Sequence, residues 1–193
     1  MKNQINMEHD IEKCIETLKA GGLILYPTDT IWGIGCDATN KQAVEKIYQL
    51  KQRFDNQKML VLVNNDAMIE RYVDNVPEVA FQIIDCAEKP LTIIYENGKN
   101  LAENLLGENH SIGIRISSEI FTKKLIERFR KPIVSTSANI HNQPSPANFA
   151  QISDEVKKGV DYIVNYRQDD LTEYKPSSLM LIKPSGEFKI LRQ

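Results

Sequence analysis

Apolar positions recur along this chain in two alternating rhythms. Ile11, Cys14, Ile15 and Leu18 fall at i, i+3, i+4 and i+7, with Asp10 read as the N-cap and Gly21-Gly22 as the stop, so the spacing predicts a short amphipathic helix. Leu23 to Tyr26 is an apolar run too short for a helix and is closed by Pro27, which predicts a strand. Ala43, Val44, Ile47, Tyr48 and Leu50 mark a second helix entered near Asn40, and Met59 to Val63 reads as a buried strand. Pro77 to Glu88 predicts a helix with proline in its first turn, where the missing N–H costs nothing.

The alternation continues with strands at 91–95 and 111–116, a helix over 119–130 and a strand at 132–135. A short helix near 148–152 is followed by strands at 162–164, 179–182 and 188–191. Helices interleaved with short apolar strands argue for a central sheet covered by helices, and the crowding of the last strands argues for a mixed sheet. Gln143-Pro144-Ser145-Pro146 is a turn, and 168–176 is a polar loop. Without repeats or low-complexity linkers, 1–193 is read as one domain.

Composition narrows the classes. With 41% hydrophobic and 26% charged residues the chain is neither disordered nor fibrous. Twenty-four Lys and Arg against 26 Asp and Glu give a net charge of −2, so any anion site must be a local cluster. The three cysteines, Cys14, Cys36 and Cys86, form no C-x-x-C pair and point to a reducing compartment. His9, His110 and His141 show no metal spacing and are read as surface residues. The polar N-terminus carries no apolar signal and no run approaches a membrane span, so the expectation is a cytoplasmic protein that does not engage a membrane.

Four segments carry candidate chemistry. The first is Tyr26 to Ala38, where hydroxyls at a strand end precede Gly33 and Gly35. Gly33-x-Gly35-x-x-Ala38 also satisfies a dinucleotide fingerprint, but Pro27 stands where the strand should continue and the helix begins too late, so the glycines are read as a turn. The second is Lys51-Gln52-Arg53 with Lys58. Basic residues at a helix end commonly serve the macrodipole, yet here they lie at a helix–strand junction of the kind where sites gather. The third is Ser135-Thr136-Ser137-Ala138-Asn139, leaving a buried strand; its hydroxyls and N–H groups suit phosphate, although Ser, Thr and Asn also make ordinary turns. No base is placed beside these serines, so the run is a poor nucleophile site. The fourth is Arg115 in the apolar strand Ile112-Gly113-Ile114-Arg115-Ile116, which is either edge-exposed or matched to an anion.

The order of these segments resembles one family. Y-P-T-D-T-x-W-G-x-G-C-D-A, then K-Q-R, I-G-I-R, S-T-S-A-N, P-S-P, S-S-L and a terminal I-L-R are similar to the YrdC/TsaC family, over about Ile11 to Arg192. The resemblance implies a YrdC-like α+β fold, with a strongly twisted mixed sheet flanked by helices around a large cavity. It also implies the short form, without the further C-terminal domain of longer relatives, and the activity of an L-threonylcarbamoyladenylate synthase. Such an enzyme is a nucleotidyltransferase that condenses L-threonine, bicarbonate and ATP to threonylcarbamoyl-AMP and pyrophosphate. Mg2+ accompanies ATP with no dedicated protein metal site. Downstream proteins move the threonylcarbamoyl group to tRNA, for which a weak affinity is compatible with the local basic clusters.

By the same resemblance Lys51 and Arg53 are the catalytic pair. Lys51, Arg53, Gln57, Lys58, Ser111, Ser135, Ser137, Asn139, Ser145 and Arg192 bind ATP, while Thr30, Arg115 and Ser177 bind threonine, with Ser178 the equivalent neighbour. Asp29, Trp32 and Leu62 depart from residues common in relatives, and Ala87-Glu88-Lys89-Pro90-Leu91-Thr92 stands where relatives carry W-P-G-P-L-T. Two rivals remain: an RNA-binding module, against which the net charge of −2 and scattered aromatics weigh, and a carbamoyl-phosphate enzyme akin to hydrogenase maturation proteins, for which the chain is short.

Overall fold

The computed structural model describes residues 2–52 and 59–192. In chain order the elements are α1 (Lys2–Lys19), β1 (Ile24–Tyr26), β2 (Gly33–Gly35), α2 (Lys41–Leu50), β3 (Leu60–Val63), α3 (Asp66–Glu70), α4 (Glu78–Asp85) and β4 (Leu91–Tyr95). They continue with β5 (Ile112–Ile116), α5 (Ile120–Phe129), β6 (Ile133–Ser137), α6 (Asp154–Lys158), β7 (Tyr162–Ile163), β8 (Ser178–Ile182) and β9 (Phe188–Arg192). Among the described residues nine strands form one sheet in the order β7-β1-β2-β6-β3-β5-β4-β8-β9. Three parallel pairs (β1–β7, β3–β5, β4–β8) stand among five antiparallel ones, so the sheet is mixed, as the strand spacing predicts. The handed twist of adjacent strands accumulates across such a sheet.

Most apolar runs fold as expected. Asn40 caps α2 by accepting from Ala43 N at 3.1 Å, and Glu119 caps α5 by accepting from Thr122 N at 2.8 Å. Two expectations are corrected. Asp10 is no N-cap, because α1 runs back to Lys2 and buries it mid-helix. There its carboxylate accepts from Tyr162 Oη (2.6 Å), Asn165 N and Nδ2 (3.0 and 2.9 Å) and Tyr166 N (2.9 Å), tying α1 to the segment after β7. The second correction is the glycine turn, which is the strand β2.

β2 exists because its glycines admit two close neighbours. Gly33 pairs with Tyr26 and Ser137, and Gly35 with Ile24. A Cβ on Gly35 would stand 2.6 Å from Tyr26 Cε1 and 2.7 Å from the Val134 carbonyl. The same pairing extends β6 to Ser137, two residues further than the apolar run alone predicts. α3 and α6 are short helices that the apolar rhythm does not announce. Each is capped by a polar side chain, Asn65 to Met68 N (2.9 Å) and Ser153 to Val156 N (3.4 Å).

Candidate active site

Strand alternation places the chemistry. Cα partners across a sheet share a face, and the register links Gly33 to Ser137, Ser135 to Leu60, and Leu60 to Gly113. Arg115 is two residues beyond Gly113 and so shares that face. Across β4, β8 and β9 the face continues through Ile94, Thr92, Leu179 and Arg192. Side chains far apart in the sequence therefore converge without any local motif joining them.

On this face opens a cavity of about 210 Å3 lined by Thr30, Trp32, Gly33, Arg115, Ser135 and Ser137, together with Ser145, Ser177 and Arg192. Of the residues expected in the site, the structure brings together Thr30, Arg115, Ser135, Ser137, Ser145, Ser177 and Arg192. Lys51 and Asn139 stand behind the wall. The Lys51 ammonium donates to Ser137 O (2.7 Å), Asn139 O (2.6 Å) and Asn139 Oδ1 (3.3 Å), and Ser137 Oγ is hydrogen-bonded to Asn139 Oδ1. Asn139 Nδ2 donates onward to Gln143 O at 2.5 Å, holding the turn that carries Ser145. Ser111 lies outside the cavity lining, just before β5, where its N–H donates to Glu108 O (2.9 Å). Arg53, Gln57 and Lys58 lie outside the described residues.

The threonine candidates occupy the more buried end. Thr30 sits in the turn after β1, with Thr28 Oγ1 accepting from Thr30 N (3.0 Å) and donating to Ile31 O (2.8 Å). Ser177 is 3% exposed and its hydroxyl shares a 2.7 Å hydrogen bond with Thr92 Oγ1. Ser178 instead starts β8 and borders a separate pocket with Cys86 and Ala87, so the two adjacent serines are not equivalent. Arg192 donates from Nε (3.1 Å) and Nη2 (2.8 Å) to Ser177 O, joining the last strand to the segment that carries Ser177.

Arg115 is not an edge residue: β5 lies between β3 and β4, and the side chain is 3% exposed. Burial pushes its guanidinium below the usual value, while the Asp29 carboxylate, 3.1 Å from Nη2, opposes that shift. Asp29 is the partner that residue-level reading missed, although an arginine inside an apolar strand already demands an acid. The loop leading to Ser177 is laced by Asp170, which accepts from Arg167 Nη2 (2.8 Å), Tyr174 Oη (3.1 Å) and Thr172 N (3.0 Å). Among the described residues no group of His, Cys, Asp or Glu could hold a metal ion. Among the described residues the cavity lining offers hydroxyls and guanidinium groups and no carboxylate.

Residues 16–193 match the profile of the proteins Sua5, YciO and YrdC, described as Telomere recombination. The chain belongs to this family. Among Sua5/YciO/YrdC relatives, the threonylcarbamoyl-AMP synthase of Pseudoalteromonas translucida is 31% identical over 158 residues, 80% of this chain and 84% of that protein. YciO of E. coli superimposes with a TM-score of 0.81 at 25% identity, over 95% of this chain and 88% of that one. P. abyssi Sua5, solved in complex with L-threonine, superimposes with a TM-score of 0.78 at 23% identity. That match covers 90% of this chain and 50% of Sua5, so the chain spans about half the length of that protein. No helix among the described residues is long and apolar enough to cross a membrane.

Proposed function

We propose that the protein is a threonylcarbamoyl-AMP synthase acting in tRNA modification, a nucleotidyl-transferring enzyme that uses threonine, bicarbonate and ATP. The observation that supports this reading most is the convergence of Thr30, Arg115 and Ser177 with Ser135, Ser137 and Arg192 on one cavity. The threonine amine and bicarbonate combine to a carbamate with loss of water. A carbamate oxygen then attacks the α-phosphorus of ATP, a P–O bond forms, and the bond to the bridging oxygen breaks to release pyrophosphate. No protein nucleophile is needed; the site holds the reactants together and stabilises spreading negative charge.

In this reading Arg115 forks the threonine carboxylate, and the hydroxyls of Thr30 and Ser177 meet its polar atoms. Recognition of the substrate hydroxyl would discriminate against small apolar amino acids. Ser135, Ser137, Ser145 and Arg192 face the nucleotide. Lys51 and Asn139 act through the Ser137 segment that they brace. Arg53, Gln57, Lys58 and Ser111 complete the nucleotide's contacts on the strength of the family pattern alone. Magnesium enters as the counter-ion of ATP, part of the substrate. The product passes to proteins that transfer the threonylcarbamoyl group to tRNA, a cytoplasmic setting, with residues 1–193 acting as one unit.

The deciding experiment measures pyrophosphate release from ATP and bicarbonate with L-threonine, without it, and with L-serine. Threonine-dependent release with threonylcarbamoyl-AMP detected by mass is the expected result. No release from folded protein with magnesium present would leave a family member that kept the fold and lost the reaction. Salt-sensitive RNA binding without turnover would favour an RNA-binding module instead.

A further inference from the structure

The ion pair between Arg115, at the wall of the cavity, and Asp29 is incomplete. Arg115 Nη2 and Asp29 Oδ1 stand 3.1 Å apart with side chains 3% and 5% exposed. Yet Asp29 Oδ1 and Arg115 Nε are both buried without a hydrogen-bond partner. Proteins rarely leave such groups unsatisfied, because burial strips them of water without giving a partner back. The other carboxylate oxygen is well held: Asp29 Oδ2 accepts from Ser118 N (3.2 Å) and Ser118 Oγ (3.3 Å). The turn beneath it is pinned too, by Thr122 Oγ1 donating to Pro27 O (3.0 Å) and Arg167 Nη1 donating to Thr28 O (3.3 Å).

The two members of the pair face different spaces. Arg115 lines the reaction cavity, whereas Asp29 does not. Asp29 borders a second cavity on the opposite face of the sheet, with Ile69, Ile84, Ile114, Ile116 and Ser118. Its carboxylate is thus fixed from outside the site and reaches substrate only through the guanidinium.

We propose that Asp29 is the positioning residue of amino-acid recognition: anchored by Ser118, it holds the Arg115 guanidinium at the cavity wall and offsets its charge, so that the site takes a monoanionic carboxylate in preference to a polyphosphate. This rests on the reading that Arg115 receives the threonine carboxylate, and it explains how one cavity keeps its two anionic substrates apart. A buried guanidinium without a counter-charge would draw the triphosphate, whose several negative charges interact with it more strongly than one carboxylate does. Paired with Asp29, it keeps enough donor capacity for a carboxylate and loses that bias.

The test compares L-threonine and ATP affinities, by calorimetry and steady-state kinetics, for wild type, Asp29→Asn, Asp29→Glu, Ser118→Ala and Arg115→Gln. Asp29→Asn should raise the threonine KM about tenfold, the scale on which supporting residues act, with the ATP KM changed by less than about twofold and the melting curve retained. Tripolyphosphate should become a competitive inhibitor against threonine in that variant and not in wild type. Asp29→Glu, which keeps the charge, should restore most of the affinity, and Ser118→Ala should weaken threonine in the same direction by a smaller factor. If Asp29→Asn does not fold, the last two variants carry the test. Unchanged or tighter threonine binding in Asp29→Asn, or equal losses for threonine and ATP, would overturn the proposal while Arg115→Gln still loses threonine. Normal threonine binding in Arg115→Gln would overturn the underlying reading and the proposal with it.

Discussion

Lys51 spends its ammonium on the backbone that leaves β6, with Ser137 O at 2.7 Å and Asn139 O at 2.6 Å. A basic residue at a helix end would ordinarily serve the helix or a ligand, whereas this one fastens α2 to the segment carrying Ser137. Lys51→Ala removes the donor from two half-buried carbonyls, and each orphaned group costs about 1–3 kcal/mol. The variant should therefore unfold at lower urea as well as lose ATP-dependent pyrophosphate release. Loss of activity at unchanged stability would instead put the ammonium on the nucleotide itself.

Ser177 and Ser178 are chemically alike and differ only in which space they face. Ser177→Ala should raise the threonine KM about tenfold, the cost of about one hydrogen bond to substrate. Ser178→Ala should leave it within about twofold. Steady-state kinetics on the two variants in parallel decides this, and equal effects would remove Ser177 from the threonine site.

Much of this arrangement is visible in the residues, and what is not visible has particular causes. Apolar runs announce β1, β3, β4, β5 and β8 because buried strands need them. They do not announce β2, a strand of two glycines and one isoleucine that exists only because Tyr26, Val134 and Ser135 crowd in on it. The run of hydroxyls after Val134 reads as a loop until Gly33 pairs with Ser137 and draws two more residues into β6. Asp10 reads as a cap because helix signals are local, while its four hydrogen bonds come from residues more than 150 positions away. Arg115 was legible as a question, and only the sheet order and the pairing with Asp29 answer it. Ser177 and Ser178 read alike until the start of β8 turns them toward different spaces.

Gly35→Ala tests the crowding at β2. The added methyl meets a tyrosine ring at 2.6 Å and a backbone carbonyl at 2.7 Å, and neither can withdraw without disturbing β1 or β6. Overpacking of this kind costs about 1–3 kcal/mol. Chemical denaturation should show the loss, and Gly186→Ala serves as a contrast: its methyl would meet only Val79 Cγ1 at 3.7 Å, so its cost comes from a φ of +85° rather than from crowding. A Gly35→Ala protein as stable as wild type would mean that the strands can part at no cost.

Glu119 supplies a pH signature. Burial raises its pKa above the usual carboxylate value of 4.5, against the Thr122 N–H and the Arg167 charge, which both favour ionisation. The folded state then binds the proton more tightly than the unfolded one. On this group's account, stability is present at low pH and is lost as pH rises from about 4.5 through the raised value. Glu119→Gln keeps an acceptor for the cap and removes the titration. The stability of the variant relative to wild type should therefore climb between acidic and neutral pH, as followed by urea midpoints, and a pH-independent difference would refute it.

The pairing of Ile24 with Tyr162, Gly33 with Ser137 and Leu91 with Ser178 joins distant segments, and β1–β2 and β8–β9 are the tight local hairpins among the described strands. Each distant contact must first meet the entropy of closing a long loop, which places the chain among slow-folding, high-contact-order topologies. Neither hairpin carries the whole cavity, since Arg115, Ser135 and Ser137 stand on strands that meet only when distant segments do. Catalytic competence on refolding should thus emerge in the last kinetic phase, all at once, with no partly active species before it.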